Sequence, residues 1–207
     1  MSDPYTAPDY ATAALITIDT QRDVLDGGSL EVPGTTAALG AIGTLVRAFR
    51  DARRAIVHVV RLYEPDGSNV DVCRRDSVRN GARILIPSSE GSQLASELLP
   101  DPELMLDDRL LLAGGLQTLG PREVAIYKPR WGAFYGTRLE DYLRAQDVST
   151  VVFCGCNFPN CPRTSIYEAS ERDFRVVVAR DAVSGLYERG EQELANIGVQ
   201  VLDSGDR

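Results

Sequence analysis

Six apolar stretches rich in β-branched residues constrain this chain more than anything else in it. They fall at 14–18, 55–60, 124–127, 150–154, 176–179 and 199–202. Each is too short for a buried helix and nearly continuous in apolar character, the pattern of a strand covered on both faces. Between them, residues 35–52, 89–99, 138–145, 163–172 and 188–197 carry helical periodicity. Strands alternating with helices predict an α/β fold: a three-layer α-β-α, doubly wound, mostly parallel six-stranded sheet with right-handed crossovers. Residues 62–88, with Pro65, Gly67, Gly81 and Pro87, read as a long loop with one helical turn, placed to act as a lid or substrate loop. The whole of 1–207 is expected to be one domain, with 1–10 and 204–207 frayed.

Charge removes several function classes. Twenty-two basic against 30 acidic residues leave a formal net charge of −8, a field that repels phosphate backbones and anionic lipid, so nucleic acid and membrane are not expected partners. No apolar run approaches the roughly 20 residues of a membrane span, and Met-Ser-Asp-Pro-Tyr lacks a basic segment followed by an apolar one. A cytoplasmic protein is expected. Cys73, Cys154, Cys156 and Cys161 are not spread like a disulfide scaffold, so reduced thiols are expected. His58 is the only histidine, too few for a two-histidine zinc site, and it leaves a Ser-His-Asp hydrolase one candidate base.

In a doubly wound sheet, sites gather at the carboxyl ends of strands. Asp19, Lys128 and the segment from Gly155 occupy three such ends. Cys161 precedes Pro162 and a helical run, so the proline reads as the first helical residue and Cys161 as the N-cap. There the helix dipole and free amides stabilise a thiolate, and the same amides can hold an oxyanion. The alternative is a small buried residue at a strand-to-helix turn. Asp19 reads either as a partly desolvated proton acceptor or as a turn residue, and Lys128 as its neighbouring cation or as a solvated edge. Together, a thiol, a carboxylate and an ammonium make a nucleophilic site that needs no histidine.

The order and spacing of these segments resemble the isochorismatase-like cysteine hydrolases, a family that includes nicotinamidases, N-carbamoylsarcosine amidohydrolases, and ureidoacrylate and biuret hydrolases. Leu15-Ile16-Thr17-Ile18-Asp19-Thr20-Gln21-Arg22-Asp23 is similar to the family's opening strand and catalytic Asp, and Val32-Pro33-Gly34 to the turn before its first helix. Tyr127-Lys128-Pro129-Arg130-Trp131-Gly132-Ala133-Phe134 resembles the catalytic Lys segment. Gly155-Cys156-Asn157-Phe158-Pro159-Asn160-Cys161 resembles the nucleophile segment. The resemblance implies Cys161 as nucleophile, Asp19 as base and Lys128 as orienting charge. It also implies an oxyanion hole at the amides of Asn157 and Cys161, and a cis peptide between Cys156 and Asn157. The implied activity is cleavage of a C–N bond in a small amide, ureide or carbamoyl compound, or lactam, through a thioester acyl-enzyme.

Two departures shape the expectation. Where nicotinamidases place zinc ligands, this chain reads Val59-Val60-Arg61-Leu62-Tyr63-Glu64-Pro65-Asp66-Gly67, so neither metal nor other cofactor is expected. Where the family commonly has Thr, Phe158-Pro159-Asn160 stands. Candidate substrate contacts are Gln21, Arg61, Trp131, Phe134 and Phe158, with Arg61 the best placed of the arginines predicted near the rim (Arg61, Arg74, Arg75, Arg130, Arg138 and Arg163) to clamp a carboxylate. Cys154 and Cys156 are assigned to packing. The resemblance also implies a homo-oligomer, dimer or tetramer, acting on a small molecule. The competing reading is a silent, vinyl ether-cleaving or thiol-redox member of the fold acting as a binding protein.

Overall fold

The structure is a computed structural model that describes residues 3–205. Seven strands form one sheet: β1 (Ala13–Ile18), β2 (Ala55–Val60), β3 (Leu116–Gly120), β4 (Glu123–Tyr127), β5 (Thr150–Gly155), β6 (Arg175–Val183) and β7 (Gln200–Leu202). Their order is β3-β4-β2-β1-β5-β6-β7, and every pairing is parallel except β3 with β4. The six expected strands are all present, and β3 is an addition to the expected count. Leu116-Gln117-Thr118-Leu119-Gly120 escaped the apolar pattern because it is an edge strand, half-buried and with polar residues at its centre.

Every residue of β1, β2 and β5 is buried, as continuous apolar runs require of central strands. Period-two alternation divides them between two cores. Ala14, Ile16 and Ile18 face a cluster with Leu139 and Leu143 of α4 (Leu139–Ala145), Ile166 and Ala169 of α5 (Cys161–Ser170) and Leu194 of α6 (Glu188–Ala195). Leu15, Ile56, Val152 and Val177 face Ala38, Leu39, Ile42, Leu45 and Val46 of α1 (Thr35–Asp51) on the other side. That i, i+4, i+7 stripe is why α1 forms and which face it buries, each large side chain contributing about 1.5–3 kcal/mol.

The helix expected over 89–99 is absent. Two 3-10 turns, Glu90–Ser92 and Ser96–Leu98, take its place. The buried Gln93 accepts from the Leu106 amide at 2.7 Å through its side chain and gives its carbonyl to the Arg22 amide at 2.8 Å, so tertiary hydrogen bonds replace helical ones. The 62–88 segment is loop apart from a 3-10 turn (Val72–Arg74) running into α2 (Arg75–Arg79). A further short helix, α3 (Asp108–Leu112), precedes β3. Of the ends expected to fray, Ala7 donates to the Asp3 carbonyl, Asp9 to Thr150 and Ser204 to Asp181, while 1–2 and 206–207 lie outside the described residues. No helix among the described residues is long and apolar enough to cross a membrane.

Candidate active site

Chain direction reverses its lateral progress at β1, which has β2 on one side and β5 on the other. This is the switch point where a crevice opens outside the strand ends. Gly155 closes its floor. Its φ of +113° suits glycine, and a Cβ there would sit 2.2 Å from the Ile18 carbonyl oxygen, so only glycine lets β5 cross so near the end of β1. The Cys156 amide then bonds that carbonyl at 2.8 Å.

Three side chains meet above this floor. Asp19, one residue past β1, is turned inward with φ +50° while its amide bonds the Val59 carbonyl at 2.9 Å. Lys128, one residue past β4, lies two strands from β1, roughly 10 Å, a gap that only a long side chain crosses. Its Nζ reaches Asp19 Oδ2 at 2.9 Å and Cys161 Sγ at 3.3 Å, and it is wholly buried. Asp19 Oδ1 is buried with no hydrogen-bond partner. Burial works against the charge on Lys128, but Asp19 and Cys161 more than offset it and raise its pKa.

Cys161 is the first residue of α5 and Asn160 is the N-cap, one position earlier than expected. The first helical hydrogen bond runs from Thr164 to the Asn160 carbonyl, which puts Pro162 at the second helical position. The expected stabilisation of thiolate is also corrected. Burial, and then the facing Asp19 carboxylate, push the Cys161 thiol up to about 12, so at rest it carries its proton. The amides of Asn157 and Cys161 make no hydrogen bond among the described residues, leaving two donors beside the thiol. The Cys156–Asn157 peptide is trans, not cis.

The cavity over these groups is small, about 30 Å³, room for one or two waters. One wall is aliphatic, formed by Val24, Leu30, Val32 and Leu85. The candidate contacts divide sharply. Arg61 borders the cavity, but its guanidinium is spoken for: Nη1 donates to the Lys128 carbonyl at 2.6 Å and Nη2 pairs with Asp71 Oδ2 at 2.8 Å. Asp71 also accepts from Tyr63 Oη at 2.7 Å, and Tyr63 Oη accepts from Arg74 Nη1 at 2.6 Å, which carries Arg74 to the rim. Gln21 does not reach the cavity. Its amide is used up on the Arg61 backbone and the Ser92 carbonyl, tying the end of β1 to that of β2.

The three aromatic candidates, Trp131, Phe134 and Phe158, do not line the cavity. Phe134 packs on Phe174 in the core, and Phe158 lies edge-on to Tyr187 at 5.5 Å between centroids, because full burial in the core is worth most to the largest apolar rings. Trp131 touches the site only through Arg74, which lies 4.9 Å above its ring. Cys154 is core, as expected. Cys156, assigned to packing alone, lines the cavity, and its thiol is pushed up by burial to about 11. The sequence does not single out the aliphatic wall or Asp71, since Val24 ends a 3-10 turn (Arg22–Val24) and Leu30 and Leu85 lie in loops, where no periodicity marks them. All four cysteines are free. His58 sits inside β2, bonded to Thr17 Oγ1 at 2.8 Å and Glu123 Oε1 at 2.9 Å, away from the thiol. Among the described residues no group of three or more His, Cys, Asp or Glu side chains is placed to hold a metal ion.

The chain is similar to known proteins in both sequence and shape. The family model of the Isochorismatase domain matches residues 13–111 and 112–203. Maleamate amidohydrolase of Pseudomonas putida is 29% identical over 174 residues, which span 82% of this chain and 71% of that protein. An Arabidopsis thaliana protein described as a probable inactive nicotinamidase is 25% identical across 92% of both chains. The crystal structure of an isochorismatase family protein from Desulfovibrio vulgaris superposes with a TM-score of 0.79 at 27% identity, over 93% of this chain and 94% of that one.

Proposed function

The chain belongs to the isochorismatase family, and on that premise we propose that it is a metal-independent cysteine amidohydrolase. Its reaction is cleavage of the C–N bond of a small amide, ureide or carbamoyl compound, or lactam, through a thioester. The observation that carries this reading is Lys128 Nζ standing 2.9 Å from Asp19 Oδ2 and 3.3 Å from Cys161 Sγ beside a small cavity. A thiol at about 12 is not a preformed nucleophile, so a base must take its proton as it attacks. Asp19 Oδ1, buried and without a partner, is the acceptor for that proton.

In this mechanism Sγ adds to the carbonyl carbon while the proton moves to Asp19. The oxyanion is received by the Asn157 and Cys161 amides, which need no reorganisation to do so. Asp19 returns the proton to the departing nitrogen, and ammonia or an amine leaves. A water then enters and gives a proton to Asp19 as its oxygen adds to the thioester carbonyl; the C–S bond breaks, the acid leaves, and Asp19 hands that proton to the departing Cys161 sulfur. Lys128 stays charged throughout and holds Asp19 beside the sulfur. Arg74 at the rim and the aliphatic wall suit a short amide whose far end is a carboxylate, the chemistry of the maleamate named for the Pseudomonas putida relative. We assign the activity to one domain spanning 1–207, in a cytoplasmic homo-oligomer, dimer or tetramer.

The test is ammonia release from a panel of carboxylated amides, ureides and lactams, with quenched samples taken for intact mass. The expected result is turnover with one acyl adduct on Cys161, both lost in Cys161→Ala. Turnover that survives Cys161→Ala, or no turnover and no adduct with any of the panel, overturns the reading and leaves a silent binding protein.

A further inference from the structure

A cavity much larger than the one over Cys161 lies at the other end of the sheet. We propose that it is a binding site for a small organic anion, one carrying a phosphate or carboxylate group on an apolar body. It sits at the amino ends of β2 and β4 and measures about 530 Å³, against about 30 Å³ for the cavity over Cys161. That is the size range of small-molecule sites. The carboxyl end of α1 and the chain just beyond it bring Arg50, Arg53 and Arg54, and the turn between β3 and β4 brings Arg122.

Four arginines therefore line one cavity in a chain whose net charge is −8. The wall holds one carboxylate, Glu123, and it is already saturated. Arg50 binds both of its oxygens, at 2.7 and 2.6 Å, and His58 shares Oε1 at 2.9 Å. Among the described residues, Arg53, Arg54 and Arg122 have no carboxylate within 4.0 Å, although most of the chain's charge is acidic. The negative end of the α1 dipole accounts for cations at 50–54. It does not account for Arg122, which arrives from a different element and adds its charge to the same space.

Two further details point to a ligand with carbon in it. Arg53, two residues past the end of α1, has φ +53°, a left-handed position where glycine or asparagine costs least, so this side chain is present at a backbone cost of about 1 kcal/mol. Between the arginines the surface is apolar, made by Ile56, Pro100 and Pro121. A bare inorganic ion would use the charges and leave that surface wet. A ring or short chain bearing an acidic group uses both, since guanidinium forks match phosphate and carboxylate alike.

Isothermal titration at constant ionic strength tests this, with phenyl phosphate, benzoate and inorganic phosphate as the probes. The wild-type chain is expected to bind phenyl phosphate or benzoate saturably with one site. That affinity should be at least about tenfold above inorganic phosphate and should fall at least about tenfold in Arg53→Ala/Arg122→Ala. The double variant should keep the wild-type melting temperature and, because neither residue touches the Cys161 cavity, the wild-type rate of amide hydrolysis. Saturation by either probe supports the site and identifies its acid group. No saturation in the millimolar range, equal binding by the double variant, or inorganic phosphate binding as tightly as both organic probes overturns it, whatever the outcome at Cys161.

Discussion

Two clusters of charge are buried in this sheet, and they are finished differently. At the amino end of β4, Glu123 is held by Arg50 and His58, and His58 passes its other ring nitrogen to Thr17, so both carboxylate oxygens and both ring nitrogens have partners. Burial alone would raise the Glu123 carboxyl, yet the bonds from Arg50 and His58 hold it down to about 2. At the carboxyl ends of the same strands, Asp19, Lys128 and Cys161 leave one carboxylate oxygen and two amides unsatisfied and a thiol protonated. A closed network stabilises and does nothing else, whereas an open one holds unused hydrogen-bonding capacity for a reactant. The lone histidine belongs to the closed network, with both ring nitrogens engaged.

The hardest blow to this contrast is Cys161→Ala. It is expected to lower amide hydrolysis by about 10⁴-fold, roughly 5 kcal/mol of transition-state stabilisation, with unchanged circular dichroism. Next comes Lys128→Met, which strands a buried carboxylate and should cost about 3–5 kcal/mol in urea unfolding. Asp19→Asn/Lys128→Met should recover most of that loss; if the double variant is as unstable as the single, the pairing is not what holds Lys128 in place. Glu123→Gln addresses the closed cluster. Because the folded carboxyl lies near 2 and its ordinary value is 4.5, its contribution is fully present above about pH 4.5 and fades as pH falls towards 2. The variant should be roughly 3 kcal/mol less stable than wild type at pH 7 and should converge with it near pH 2, read from urea midpoints along a pH series. The smallest effect is the most diagnostic. Asp19→Asn removes the charge that raises the Cys161 thiol, so iodoacetamide should alkylate Cys161 about tenfold faster at pH 8 while hydrolysis is lost. Slower alkylation in that variant would mean that Asp19 activates the thiol at rest.

Strand ends were the legible part of this site. Asp19 and Lys128 each directly follow a continuous apolar run and Cys161 heads the helix that comes after another, and a parallel sheet brings such ends together whatever the loops do. Gln21 was not legible in the same way, because a polar residue beside a strand end reads alike whether it faces a ligand or stitches two strands. Phe134 and Phe158 were assigned to the cavity by position, but the core competes for aromatic rings and wins. The 89–99 segment has helical periodicity, and hydrogen bonds to residues far along the chain overrule it. The thiol's protonation state was misjudged for a related reason: the helix terminus is local and visible in sequence, while burial and the facing carboxylate are not.

The antiparallel β3 at one border of the sheet and the three-residue β7 at the other have a consequence for how copies of this chain meet. β1, β2 and β5 are buried throughout, and β4 and β6 contain buried apolar runs; with an open flank such strands would template lateral pairing between chains. β3 is half-buried and its register is broken between Thr118 and Gly120, and β7 offers only Gln200, Val201 and Leu202. An incoming strand finds a bulge on one flank and little backbone to grip on the other. The borders of the sheet thus work as gatekeepers against aggregation, and lengthening β7 or removing the irregularity in β3 would expose the chain to it.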